Sequence, residues 1–149
     1  PLSPLMVVFL HDLFELRQKD SVMALTHEEK LDHQRRFAEA TNTSRPDITM
    51  AMCVPGALVW HNFDDKSIPY ENTGKTLTRM HAMIPDLRWE TRSVVITSDG
   101  WIWQAAIRGT APGGELCAHS CMVVTLNDDG LITKLDEYLD PAQMAPLRG

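Results

Sequence analysis

Four absences narrow this 149-residue chain before any pattern in it is read. No apolar run approaches the roughly 18 residues that suggest a membrane span. The longest candidate, Leu5 to Leu10, is interrupted at His11 and Asp12, and no signal-peptide cleavage pattern follows. The basic residues are scattered and the net charge is −6, so neither nucleic acid nor an anionic membrane is expected as a partner. Cysteine is scarce and odd in number (Cys53, Cys117, Cys121), which fits a reducing, cytoplasmic compartment. There is no glycine-rich phosphate loop, nucleophile elbow, HExxH motif or internal repeat, and no cofactor is expected.

One metal-like pattern does occur and fails on geometry. Cys117, His119 and Cys121 alternate along one predicted strand, which puts the two sulfurs roughly 13 Å apart at about 3.4 Å per residue. A single zinc needs both at about 2.3 Å, so no metal site is expected there.

What remains is a composition of 44% hydrophobic and 23% charged residues, ordinary for one globular domain spanning residues 1–149. The first half reads as helical. Ser3-Pro4 followed by Leu5, Val8, Phe9, Leu13 and Leu16 predicts an extra N-terminal helix over about 4–18. Thr26-His-Glu-Glu29 is a capping box that opens a helix to about Ala40. Ser44-Arg-Pro-Asp47 starts a short helix ending near Val54-Pro55-Gly56, and Gly74-Lys-Thr opens another that Pro85 closes. Between these two helices, Ala57 to Asn62 reads as a strand and the residues after it as a loop. Four β-rich runs follow: Arg88–Thr97, Trp101–Thr110, Glu115–Leu126 and Leu131–Leu139. Turn clusters at Ser98–Gly100, Ala111–Gly114 and Asn127–Gly130 link them into an antiparallel meander, so the fold class is α+β with helices on one sheet face.

Ala57-Leu-Val-Trp-His-Asn62, Gly74, Ile84-Pro-Asp-Leu87 and the run from Asp129 to Asp140 together resemble the SnoaL-like and limonene epoxide hydrolase branch of the nuclear transport factor 2-like superfamily. The resemblance covers roughly Leu31 to Asp140. It implies a cone-shaped fold, a curved antiparallel sheet wrapped by helices around a deep apolar pocket, often in a homodimer. Fold alone does not settle function in such a family.

Candidate site residues follow from strand and helix faces. Glu137 shares a face with Thr133 and Leu135 and stands where the resembled epoxide hydrolases carry a catalytic aspartate; a carboxylate in an apolar pocket suits general acid or base work. Its other reading is a solvated rim carboxylate or half of a structural ion pair. Ile102, Gln104, Ala106 and Arg108 share a face of the second strand of the meander. The arginine–aspartate pair of the resembled hydrolases would fall on Ala106 and Arg108 and is missing, which speaks against epoxide hydrolysis. Arg108 could pair with Glu137, bind a substrate oxygen, or face solvent. Trp60 and Asn62 share a face of the first strand, where Asn62 could hold a water or polarise a carbonyl and Trp60 could form a wall; both could equally be core residues. His81 lies on a stripe with Leu77, Met80 and Ile84, either as a proton shuttle or as a hydrogen-bonded core histidine. His11, His27 and His33 read as polar helix surface. The expected pocket walls are Trp60, Phe37, Leu77, Met80, Trp89, Ile102, Ala118, Ser120 and Met122, with Gln104 also facing the substrate.

The expectation is an enzyme acting on an apolar or polycyclic small molecule by general acid/base catalysis, through isomerisation, dehydration or cyclisation. Epoxide hydrolysis and a non-catalytic ligand-binding or protein-interaction domain are the alternatives.

Overall fold

The computed structural model describes residues 24–148; the predicted N-terminal helix over about 4–18 lies outside them. Helix α1 spans His27–Asn42 and opens on the capping box read from sequence: the Thr26 hydroxyl accepts from the Glu29 amide at 3.2 Å, and the Glu29 carboxylate accepts from the Thr26 amide at 2.8 Å. Helix α2 is Pro46–Ala51, strand β1 Cys53–His61, strand β2 Lys66–Pro69 and helix α3 Tyr70–Met83. The meander follows as β3 (Arg88–Ile96), β4 (Gly100–Ala111), β5 (Gly114–Leu126) and β6 (Ile132–Leu139), and a 3₁₀ segment, Pro141–Arg148, closes the described chain. No helix among the described residues is long and apolar enough to cross a membrane.

The six strands form one curved, unclosed sheet in the order β2-β1-β6-β5-β4-β3, antiparallel except for the β1–β6 pair. This parallel pair carries the last strand back beside the first, so residues 76 positions apart, such as Val59 and Leu135, share a rung. The helices cover the inner face, where Val59, Trp101, Trp103, Leu116 and Ile132 are almost fully buried. The outer face keeps Leu58, Val95 and Tyr138 exposed.

Local structure departs from the sequence reading in three places. Helix α3 begins at Tyr70, and Gly74 lies inside it. A Cβ there would meet the Pro46 Cβ at 3.1 Å, so the glycine serves the close approach of α2 to α3 rather than the helix start. Helix α2 stops by Ala51 and β1 already runs from Cys53, with Gly56 at φ +76° and a register shift before Leu58 absorbing the Pro-Gly pair as a bulge. Residues 66–69, expected as loop, form strand β2 and pair antiparallel with β1.

Helix α1 buries Lys30, His33, Gln34 and Phe37, an i, i+3, i+4, i+7 stripe that is mostly polar. Each polar member needs a partner. Lys30 Nζ donates to the Thr97 carbonyl at 3.0 Å and to that of Ser98, tying the helix to the β3–β4 turn. His33, expected on the surface, is 8% exposed and accepts the Trp101 indole N–H at Nδ1, 3.1 Å away. That bond fixes the neutral imidazole with its proton on Nε2. Burial, and then the charge of Arg36, hold the His33 pKa below its usual 6.5.

The unfolded chain therefore binds a proton at His33 more readily than the folded one. Stability should be fully present above about pH 6.5 and fall as pH drops below it toward the folded value. Urea midpoints at about pH 7.5 and about pH 5 should show this fall in the native protein and a flatter response in His33→Gln. An equal slope in the two proteins would refute the assignment.

Candidate active site

The curved sheet and helices α1 and α3 enclose a cavity of about 410 Å³, within the roughly 300–1,000 Å³ typical of small-molecule sites. Phe37, Leu77, Met80, Trp89, Ile107 and Met122 supply much of an apolar wall, so five of the walls expected from sequence do line it. Glu137 projects into it from β6, with Val59 and Leu135 alongside.

The Glu137 carboxylate is held at both oxygens. Ser120, buried on β5, donates its hydroxyl to Oε1 at 2.7 Å. On the other side, His61 Nε2 lies 3.5 Å from Oε2, with side-chain exposures of only 14% for the histidine and 12% for the glutamate. The contact follows from the ladder: His61 and Glu137 occupy the same rung of the parallel β1–β6 pair and point to the same face. Phe63 packs on the His61 ring at 5.1 Å between centroids, and both residues line the cavity. Tyr70 also lines it; burial above all, with the nearby Glu137 carboxylate, pushes its phenol well above the usual range and keeps it protonated. Cys53 is likewise pushed up to about 12 by burial, which leaves it a neutral, unreactive thiol.

Several residues expected at the site lie elsewhere. On β4 the inner residues are Trp101, Trp103, Ala105 and Ile107, so Ile102, Gln104 and Arg108 face outward. Arg108 binds Glu90 at 2.8 Å on that outer surface and makes no contact with Glu137. On β1 the inward residues are Val59 and His61, which turns Trp60 and Asn62 out. The Trp60 indole donates to Asp65 at 2.9 Å and packs on Tyr138. Asn62 acts as a strand clamp: its side-chain oxygen accepts the Leu139 amide at 2.9 Å, and its own amide donates to the Glu137 carbonyl at 3.2 Å. Its backbone thus positions Glu137 without its side chain reaching the cavity. His81 bonds the Thr41 carbonyl at 2.8 Å and stacks near Trp89, behind the lining. Ala118 is fully buried beneath the cavity wall. Sequence reasoning passed over His61, because the neighbouring Trp60 and Asn62 carried the resemblance.

Cys117 and His119 are exposed on the outer face, and among the described residues no group of side chains could hold a metal ion.

Solved structures share this architecture. PrhC from Penicillium brasilianum matches with a TM-score of 0.73 at 13% identity, over 83% of this chain and 87% of its own. A SnoaL-like polyketide cyclase from a Jannaschia species matches at 0.66 and 14% identity, over 78% and 88%. The fold is that of the SnoaL-like proteins. BvnE, a pinacolase from Penicillium brevicompactum, shares it with a TM-score of 0.69 at 12% identity, over 81% of this chain and 92% of its own. No family model matches this sequence, and no curated protein matches it. The SnoaL-like fold fixes where the cavity and the β1–β6 rung lie; the chemistry rests on the side chains there.

Proposed function

We propose that this SnoaL-like protein is an enzyme that transforms an apolar or polycyclic small molecule by general acid/base catalysis, of the isomerase, dehydratase or cyclase type, with Glu137 as the base. One observation carries the reading: a buried carboxylate, oriented by Ser120 and flanked by His61, faces into a mostly apolar cavity of ligand size, whose other charged lining residues are Asp64 and Arg148. Burying an ionisable group is costly unless it is partnered, and a group kept in a ligand-accessible hollow is available for proton transfer. Solved neighbours described as a SnoaL-like polyketide cyclase and a pinacolase share this fold, which supports a small-molecule enzyme without naming the substrate. Epoxide hydrolysis is disfavoured, since Arg108 is bound to Glu90 on the outer face.

A substrate-independent probe tests this. In the Kemp elimination of 5-nitrobenzisoxazole, a base takes the carbon-bound proton while the ring N–O bond breaks, releasing a cyanophenolate. The protein should accelerate it with saturation kinetics, and 2-tetralone, an apolar bicyclic ketone, should inhibit competitively. Turnover no faster than that of carboxylate in solution would leave a non-catalytic ligand-binding domain as the reading.

A further inference from the structure

We infer that Trp89 anchors the ligand of this cavity: its indole N–H donates to a neutral acceptor oxygen, a ketone or ether, at the end of the ligand remote from Glu137. The inference rests on the cavity taking a small molecule, as proposed above, and not on the chemistry at Glu137. The chain has four tryptophans, and buried indole N–H groups ordinarily find an acceptor. Three do so here. Trp60 donates to Asp65 at 2.9 Å, Trp101 to His33 at 3.1 Å and Trp103 to the Thr91 hydroxyl at 3.0 Å. Trp89 is the exception. It is 7% exposed, it is the one tryptophan that lines the cavity, and its buried Nε1 meets no acceptor among the described residues.

The residue is held where it is. Asn42 clamps the Trp89 backbone, accepting its N–H at 2.7 Å and donating to its carbonyl at 3.2 Å. His81, tilted against the indole at 5.9 Å between centroids, commits its Nε2 to the Thr41 carbonyl at 2.8 Å. A buried donor left unpaired is destabilising, so a ligand that pairs it binds more tightly for doing so. An indole N–H only donates, which requires an acceptor on the ligand. An anion is disfavoured there: Ile107, opposite Trp89 on β4, and Phe37, Leu77 and Met80 of the same wall offer no counter-charge. Thr73 Oγ1 is the other unpartnered buried atom on a lining residue, but a hydroxyl both donates and accepts and so selects no ligand class. Strands β4 and β5 separate Trp89 on β3 from Glu137 on β6, roughly 14 Å along the sheet at about 4.8 Å per strand. The oxygen bound by Trp89 is therefore not one beside the carbon that Glu137 would deprotonate, and it orients the ligand from its far end.

A matched pair of probes tests this: 2-tetralone, and tetralin, the same two rings without the oxygen. Trp89→Phe keeps an aromatic ring and the backbone clamp but removes the donor. By calorimetry, this variant should lose about tenfold of the preference for 2-tetralone over tetralin, the contribution of one neutral hydrogen bond. Nuclear magnetic resonance of the native protein, labelled with nitrogen-15 at its indoles, reads the bond directly. 2-Tetralone should move the Trp89 N–H signal farther downfield than tetralin does, and the signals of Trp60, Trp101 and Trp103 should respond to the two probes alike. Sequential assignment identifies the Trp89 signal, so the native titration decides even if the variant does not fold. An unchanged preference in folded Trp89→Phe, or a Trp89 signal that responds equally to both probes, would overturn the inference and leave the ligand cavity standing. Binding of neither probe would instead remove the cavity reading, and the inference with it.

Discussion

Glu137→Gln is expected to slow the Kemp elimination by about 10²- to 10⁴-fold, the contribution of a positioned base, while leaving the protein folded. The substitution is nearly isosteric. A glutamine carbonyl oxygen can still accept the Ser120 hydroxyl bond, now 2.7 Å long, so the β5–β6 contact behind the site persists. What disappears is the group that accepts the proton, and with it the charge opposite His61 at 3.5 Å. A melting temperature within a few degrees of the native value would tie the lost rate to chemistry rather than to unfolding. Glu137→Asp makes the complementary test. It keeps the carboxylate but withdraws it by one methylene, and a displacement near 1 Å can cost about 10²-fold. Activity that survives Glu137→Gln would place the base elsewhere and sink the central proposal.

How much of this was legible in the sequence depends on the contrast between the two faces of each element. On β6, Lys134 and Asp136 mark one side and Leu135 the other, so the inward placement of Glu137 could be read directly. On β4 both faces are apolar, Trp101, Trp103, Ala105 and Ile107 against Ile102 and Ala106, so local pattern does not fix which face turns inward. With a period of two, an error of one residue turns a whole strand over, which is why Gln104 and Arg108 were expected inside. Strand β1 failed the same way: Ala57 and Val59 look no more inward than Leu58 and Trp60, and so Asn62 displaced His61 in the reading. The parallel pairing of β1 with β6 settles that phase, and it is a long-range fact that no local pattern contains. Strand β2 was missed because only Ile68 of its four residues is partly buried, too little for a periodic signal. Helix α1 shows the opposite case. Its period was plain, but its buried stripe holds Lys30, His33 and Gln34, whose partners come from sequence positions far away.

Trp101→Ala is expected to cost roughly 3–5 kcal/mol, a large share of the total stability of about 5–15 kcal/mol for a domain of this kind. Trp101 is fully buried at the start of β4, with the Phe37 ring 5.3 Å away between centroids and Val124 opposite it on β5. Truncation opens a void where α1 meets the sheet and also strips His33 Nδ1 of its donor, now 3.1 Å away. Trp101→Phe separates the two losses, since it refills much of the volume but still leaves the histidine unpartnered; about 1–3 kcal/mol should remain lost. Urea unfolding midpoints read both variants, and a loss below about 1.5 kcal/mol for the alanine variant would show that the core collapses around the gap. The double variant with His33→Gln tests the link: once Trp101 is gone, the second substitution should cost less than it does in the native protein, by a coupling of about 0.5–3 kcal/mol. Because Phe37 lies against Trp101 on one side and lines the cavity on the other, this layer also sets the cavity wall facing Glu137. Trp101→Phe should therefore weaken 2-tetralone binding as well as stability, whereas a rigid cavity indifferent to its backing layer would bind the ketone unchanged.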